Sequence, residues 1–215
     1  MATFYNNKII TDGIEFYLDA ANPKCYPGSG SYMYDLIKGD TGTITGDVTI
    51  SNGEIIIDQT GTDGYVSGFS LNLSSTNHTV MTATRYEATD ERKFRILSSV
   101  SNNWLLGHWD GRAGVYYAEG GWVNQGNITT GTEYQIYTGT GDIAGDEWKN
   151  WVNLTNSHTN SSGSEGPNGI SIGRHPTFSS ENSDCRCRFV LIYNRVLTDE
   201  EIAYNYQQLS IIHGL

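Results

Sequence analysis

Apolar side chains recur at every second position through short runs, and turn residues separate the runs. Gly13-Ile14-Glu15-Phe16-Tyr17-Leu18-Asp19 is the first, with Ile14, Phe16 and Leu18 on one face. Asn22-Pro23 and Pro27-Gly28 then turn the chain. Thr43-Ile44-Thr45 and Val48-Thr49-Ile50 flank Gly46-Asp47, which predicts a tight hairpin; Asn52-Gly53 predicts a second ahead of Glu54-Ile55-Ile56-Ile57-Asp58. Tyr65-Val66-Ser67, residues 78–86 and residues 94–100 read as strands, the last after the charged turn Asp90-Glu91-Arg92-Lys93. So do residues 104–109, Val115-Tyr116-Tyr117, and residues 133–138, 148–154, 169–173 and 188–193. Residues 155–166, almost wholly Asn, Ser, Thr, His and Gly, read as a loop.

One helix is predicted. Thr198-Asp199-Glu200-Glu201 is a capping box, Leu197 and Ile202 can staple across it, and the acidic first turn suits the helix dipole. It is expected to run to about Gln208, with Ile202 and Tyr206 or Leu209 inward, covering a sheet edge or rim. Strands at regular spacing with no helix between them predict an all-β protein, a two-sheet antiparallel sandwich with this short capped helix at its C-terminal end. Nothing in residues 1–215 resembles an interdomain linker, so one domain is expected.

Composition agrees. Hydrophobic residues are 37 % and charged residues 17 %, the difference being filled by Gly, Ser, Thr, Asn and Tyr, which suit short strands and many turns. Aromatic residues at 12 % are enough for a core. Thirteen basic against 24 acidic residues leave a net charge of −11, which repels phosphate and anionic lipid; neither nucleic acid nor a membrane is an expected partner. Cys185 and Cys187 lie two apart on one strand face and do not bond to each other readily; Cys25 pairs with one of them or all three stay reduced. The first eight residues hold no apolar stretch of signal-peptide type, and no apolar run is long enough to span a bilayer. Asn-x-Ser/Thr triplets begin at Asn72, Asn77, Asn127, Asn153 and Asn160, as expected by chance in such a composition.

Three stretches carry a resemblance. Residues 18–30, Leu-Asp-Ala-Ala-Asn-Pro-Lys-Cys-Tyr-Pro-Gly-Ser-Gly, followed by Tyr34-Asp35-Leu36, resemble the first strand and loop of laminin-G-like domains of bacteriophage virion proteins, within the concanavalin A-like lectin and glucanase superfamily. Gly61-Thr62-Asp63-Gly64-Tyr65-Val66 resembles the family's acidic turn but has fewer acids. Residues 189–202, Phe-Val-Leu-Ile-Tyr-Asn-Arg-Val-Leu-Thr-Asp-Glu-Glu-Ile, are similar to its closing strand and capped helix and are the most specific. Residues 103–109 and 166–173 look like the phage variety as well. The resemblance implies a concanavalin A-like jelly roll used for carbohydrate or protein contact, on tails, fibres or capsid surfaces.

Candidate chemistry is sparse. Glucanase relatives carry alternating acids, Glu-x-Asp-x-x-Glu, on one strand, and this chain has no such strand. Its acidic clusters, Asp90-Glu91 and residues 142–147, carry turn residues. The five histidines, His78, His108, His158, His175 and His213, sit in unrelated contexts, and no nucleophile elbow or phosphate loop occurs. No catalytic residue, resident metal or cofactor is expected. Calcium is the one ion the resemblance brings into question, and Asp110, or Asp142 with Asp146, are the oxygens it would draw on.

The candidate contact residues are Trp104, His108, Trp109, Asp110, Arg112, Tyr116, Tyr117 and Trp122. Flat rings beside polar groups suit a sugar, and Trp, Tyr and Arg suit a subunit interface, whereas rings alternating on adjacent strands fill a core. Two functions follow. The first is a non-enzymatic virion structural protein, a capsid decoration or tail or fibre module holding to other virion proteins and to its own copies. The second is a lectin-like module attaching to host-surface carbohydrate. A glycoside hydrolase is a distant third.

Overall fold

The alternating runs become strands wherever a neighbouring strand takes up their backbone hydrogen bonds. The computed structural model describes residues 8–59, 61–87, 92–129 and 132–215. The opening seven residues and the acidic pair Asp90-Glu91 lie outside the described residues. In chain order the strands are β1 (Ile14–Asp19), β2 (Tyr32–Tyr34), β3 (Thr41–Thr45), β4 (Val48–Ser51), β5 (Glu54–Ile57), β6 (Tyr65–Phe69), β7 (His78–Tyr86) and β8 (Leu97–Ser98). They continue with β9 (Trp104–Trp109), β10 (Arg112–Ala118), β11 (Trp122–Ile128), β12 (Gln135–Asp142), β13 (Glu147–Val152), β14 (Thr155–Asn160), β15 (Ile170–Ile172) and β16 (Cys185–Tyr193). The helix α1 (Asp199–His213) follows.

Two antiparallel sheets stack face to face as a jelly-roll sandwich. The first runs β14-β13-β12-β7-β16-β5-β4, with β1 paired to the far half of β16. The second runs β11-β10-β9-β8-β15-β6-β3-β2. Phe16, Leu18, Ile57, Val80, Val190 and Ile192 of the first sheet meet Val66, Phe69, Trp104, Leu106, Tyr116, Ile170 and Ile172 of the second in the layer between them. No helix among the described residues is long and apolar enough to cross a membrane.

A second apolar layer covers the outer face of the first sheet. There Met81, Ala83, Phe189, Leu191 and Tyr193 pack with Leu197, Ile202 and Leu209. The helix thus lies over the sheet's central strands β7 and β16, not along an edge or rim as the sequence suggested. It also runs five residues past Gln208 to His213, ending at Gly214 in the left-handed conformation. The capping box forms as expected: Thr198 Oγ1 accepts from the Glu201 amide, and the Glu201 carboxylate accepts from the Thr198 amide. Arg195 clamps the same carboxylate through two bonds of 2.7 Å.

Several expectations change. Gly46-Asp47 does not close a hairpin; β3 and β4 belong to different sheets, and the chain crosses between them there. Gly46 takes φ +66°, and a Cβ on it would lie 2.1 Å from the Asp63 carbonyl oxygen, so a hairpin-like dipeptide serves a tight crossover. Asn52-Gly53 does form its turn, both residues at positive φ, between β4 and β5. Ile14 does not share a face with Phe16, because a β-bulge between them turns Ile14 toward the helix layer. The stretch 155–166 is not wholly loop; Thr155–Asn160 pairs with β13 as an edge strand. β11 and most of β10 extend beyond the expected aromatic triplet, and the strand expected over 94–100 shrinks to Leu97–Ser98.

Cys25, Cys185 and Cys187 are all buried free thiols. Burial pushes the Cys25 and Cys187 thiols up to about 12 and Cys185 well above its ordinary value.

Candidate functional site

Strand alternation divides the eight candidate contact residues between two faces of the second sheet. Trp104, His108 and Tyr116 point into the layer between the sheets and are buried. Trp104 meets Tyr116 edge-on at 5.8 Å between ring centres, and Tyr116 leans on Trp148 of β13 at 6.2 Å. As contact residues these three are displaced by geometry: their rings fill the core.

His108 sits against β7 and β12 of the opposite sheet. The Tyr137 hydroxyl donates to Gln135 Oε1 at 2.9 Å, so it accepts from His108 Nε2–H at 3.3 Å, and Nδ1 accepts from the Thr84 hydroxyl at 3.2 Å. The imidazole is therefore held neutral, and burial drives its pKa down to about 3. His78 behaves alike. Its Nδ1–H donates to the Thr76 carbonyl at 2.9 Å, its Nε2 faces the Tyr116 hydroxyl at 3.2 Å, and burial lowers its pKa to about 4. Neither ring reaches solvent for acid–base work.

The other face is different. Asp110-Gly111, both at positive φ, reverse the chain between β9 and β10 and bring Trp109 opposite Arg112. A β-bulge at Tyr116/Tyr117 sets Tyr117 opposite Trp122 on the outer face. Trp109 and Trp122 lie 5.1 Å apart at 50°, and Tyr117 and Trp122 lie 4.9 Å apart at 68°. All three are half-buried, so each ring keeps part of its surface toward solvent. The rings form a corner, not a flat platform. Asp110 is exposed at the turn and Arg112 half-buried beside it.

Sequence reasoning missed the group that anchors this corner. Glu181, from the segment after β15, accepts from Trp109 Nε1 at 3.1 Å and pairs with the Arg95 guanidinium. Arg95 is 4 % exposed and also lies over the Phe178 ring at 4.9 Å. No periodic signal marks Glu181, because it sits in irregular chain.

Beside Trp122 a cleft of about 270 Å³ opens where the edge strands β11 and β14 of the two sheets come together. Trp122, Val123, Asn124, Gln125, His158 and Asn160 line it. A further shallow cleft of about 320 Å³ lies by Ala20, Pro23, Tyr26 and Asn52, far in sequence from any candidate residue.

The oxygens considered for calcium serve turns instead. Asp142 Oδ1 accepts from Asn77 Nδ2 at 2.9 Å and from the Gly145 amide at 3.0 Å, Asp146 takes positive φ in the same hairpin, and Glu147 pairs with Lys149. Among the described residues no three His, Cys, Asp or Glu side chains converge.

No family model matches the chain, and no curated protein matches it. Solved structures do. The receptor-binding domain of one crystal structure is similar over 92 % of this chain and 51 % of its own, with a TM-score of 0.68 and 16 % identity. A botulinum neurotoxin type C structure, concerned with cell entry through two ganglioside molecules, is similar over 92 % and 51 %, at 0.66 and 15 %. A Trypanosoma rangeli sialidase in complex with sialic acid is similar over 95 % of this chain and 34 % of that one, at 0.64 and 13 %. The chain thus spans about a third of the sialidase and half of the other two, and what the likeness shows is the fold: a two-sheet antiparallel jelly-roll sandwich.

Proposed function

We propose that this chain is a non-catalytic carbohydrate-binding module, one domain over residues 1–215, that attaches through the outer face of its second sheet. The observation that carries this is the corner of Trp109, Tyr117 and Trp122. Its partly exposed rings offer C–H stacking surfaces, and Arg112, Asp110 and the neighbouring cleft offer hydrogen-bonding groups. The neighbouring folds support the reading, since one is described with sialic acid bound and another with gangliosides. The buried histidines and the turn-bound acids of residues 142–147 support a binding role over hydrolysis.

A second reading is a virion surface component, a capsid decoration or tail or fibre module. The sequence resemblance motivates it, and the exposed apolar residues of the C-terminal end, Ile211, Ile212 and Leu215 with Tyr204, favour contact with another protein or a second copy. The two roles are compatible on one particle.

A glycan array probed with the purified chain, alongside a mass measurement by size exclusion with light scattering, separates them. Selective glycan binding that Trp109→Ala weakens supports the carbohydrate reading. A stable oligomer with no glycan signal overturns it in favour of assembly.

A further inference from the structure

The cleft between β11 and β14 differs in chemistry from what an acidic sugar needs. Its six lining residues include no Asp, Glu, Lys or Arg, and the chain as a whole carries −11. A carboxylate ligand approaching here meets long-range repulsion and no guanidinium or ammonium at contact.

Its walls are held before any ligand arrives. Asn124 Nδ2 donates to Asn150 Oδ1 at 2.9 Å and to Ser157 Oγ at 3.2 Å across the gap between the sheets, while Asn124 Oδ1 accepts from the Gly126 amide at 2.9 Å. Asn160 Nδ2 donates to the Val123 carbonyl at 2.8 Å, and its Oδ1 accepts from the Ser162 amide at 3.0 Å. Both asparagines are thereby committed to joining the two edge strands. Gln125 and His158 are exposed, and among the described residues the Gln125 amide and His158 Nε2 have no partner. His158 Nδ1 is occupied by the Ser157 carbonyl at 2.8 Å, which leaves Nε2 outward.

A volume of about 270 Å³ lies just below the range for small-molecule sites, roughly 300–1,000 Å³, a size that suits one sugar ring better than a chain. We infer that this cleft takes a single neutral hexopyranose unit, with Trp122 as its apolar wall and Gln125 and His158 Nε2 reading its hydroxyls, and that it discriminates against sialic acid. The inference rests on the carbohydrate-binding reading and deepens it. Preformed walls lower the ordering cost of a weak ligand, so the affinity lost with each reader is measurable.

The test is titration calorimetry with glucose, galactose, mannose, N-acetylglucosamine and sialic acid, on the full chain and on Gln125→Ala, His158→Ala and Trp122→Phe. The two exposed side chains leave the fold intact on removal, which far-UV circular dichroism verifies. Binding of at least one neutral sugar, weakened about fivefold or more by Gln125→Ala and by His158→Ala, is the expected result. Sialic acid binding more tightly than every neutral sugar overturns the inference. So does neutral-sugar binding that neither variant weakens, a result that leaves the carbohydrate-binding reading standing. Absence of binding to any sugar here and to any glycan on the array removes both.

Discussion

Trp109 Nε1 donates to Glu181 Oε2 at 3.1 Å, and the same carboxylate oxygen holds the Arg95 guanidinium. One acid from irregular chain thus fixes an outer-face ring and neutralises a nearly buried cation. Glu181→Ala leaves Arg95 without its counter-charge, and Arg95 Nη1 already has no partner among the described residues. Urea unfolding is expected to show a loss of about 3 kcal/mol, at the lower end for a broken buried pair because Glu181 itself is 25 % exposed. An unchanged midpoint and slope would remove Glu181 as the anchor.

The division of the tryptophans has a direct energetic signature. Trp104→Ala opens a hole between the sheets and should cost about 3–5 kcal/mol. Trp122→Ala removes a half-exposed ring and should cost clearly less while lowering glycan affinity more. Chemical denaturation and array binding on the same two variants decide this, and equal stability losses would place both rings in the core.

His78 and His108 set an acid limit. Their folded pKa values, about 4 and about 3, lie below the ordinary 6.5, so only the unfolded chain takes up protons as pH falls below 6.5. Their neutral forms are fully compatible with the fold above that value, and stability drains away through pH 6 to 4. By linkage each costs about 2 kcal/mol at pH 5. His108→Gln should flatten the pH dependence of the unfolding midpoint over this window; an equally steep profile in the variant speaks against the assignment.

The three thiols should be silent in the native state. Burial raises all of them, so a chromogenic disulfide reagent at pH 8 should label none quickly and all three once guanidinium unfolds the chain. Rapid labelling of Cys25 in native buffer would contradict its place at the Asp19 amide, from which its sulfur accepts at 3.2 Å.

The helix cap offers a local probe. Thr198→Ala removes the bond to the Glu201 amide and is expected to cost about 1 kcal/mol by thermal or urea unfolding. Arg195 and the Thr198 amide lower the Glu201 pKa to about 2, so the box persists above pH 4.5 and weakens as pH drops toward 2. A Thr198→Ser variant should retain most of the stability.

Much of this architecture was legible because its causes are local. Alternation in residues 78–86 and 188–193 marks strands with one face on each apolar layer, and Thr198 to Glu201 announces its own cap. What was hidden depends on pairing between distant segments. β14 carries no apolar residue, so its strand character comes only from β13. Gly46-Asp47 looks like a hairpin because a crossover and a hairpin need the same positive-φ backbone. Of the contact residues, alternation alone could put Trp104 and His108 on one side and Trp109 on the other; it could not say which side faces water, and the bulge between Ala113 and Val115, which sets Tyr116 on the side of Trp104, has no mark in the alternation. Glu181, Gln125 and His158 are joined to the aromatic corner by folding alone.

Because α1 dresses the outside of one sheet, the sandwich is two-sided in character, with an apolar-backed rear and a ring-bearing front. On the carbohydrate-binding reading, a glycan meets that front in a single orientation. Copies lined up on a common support would accordingly present their aromatic corners in the same direction, and weak grips would add up across the array.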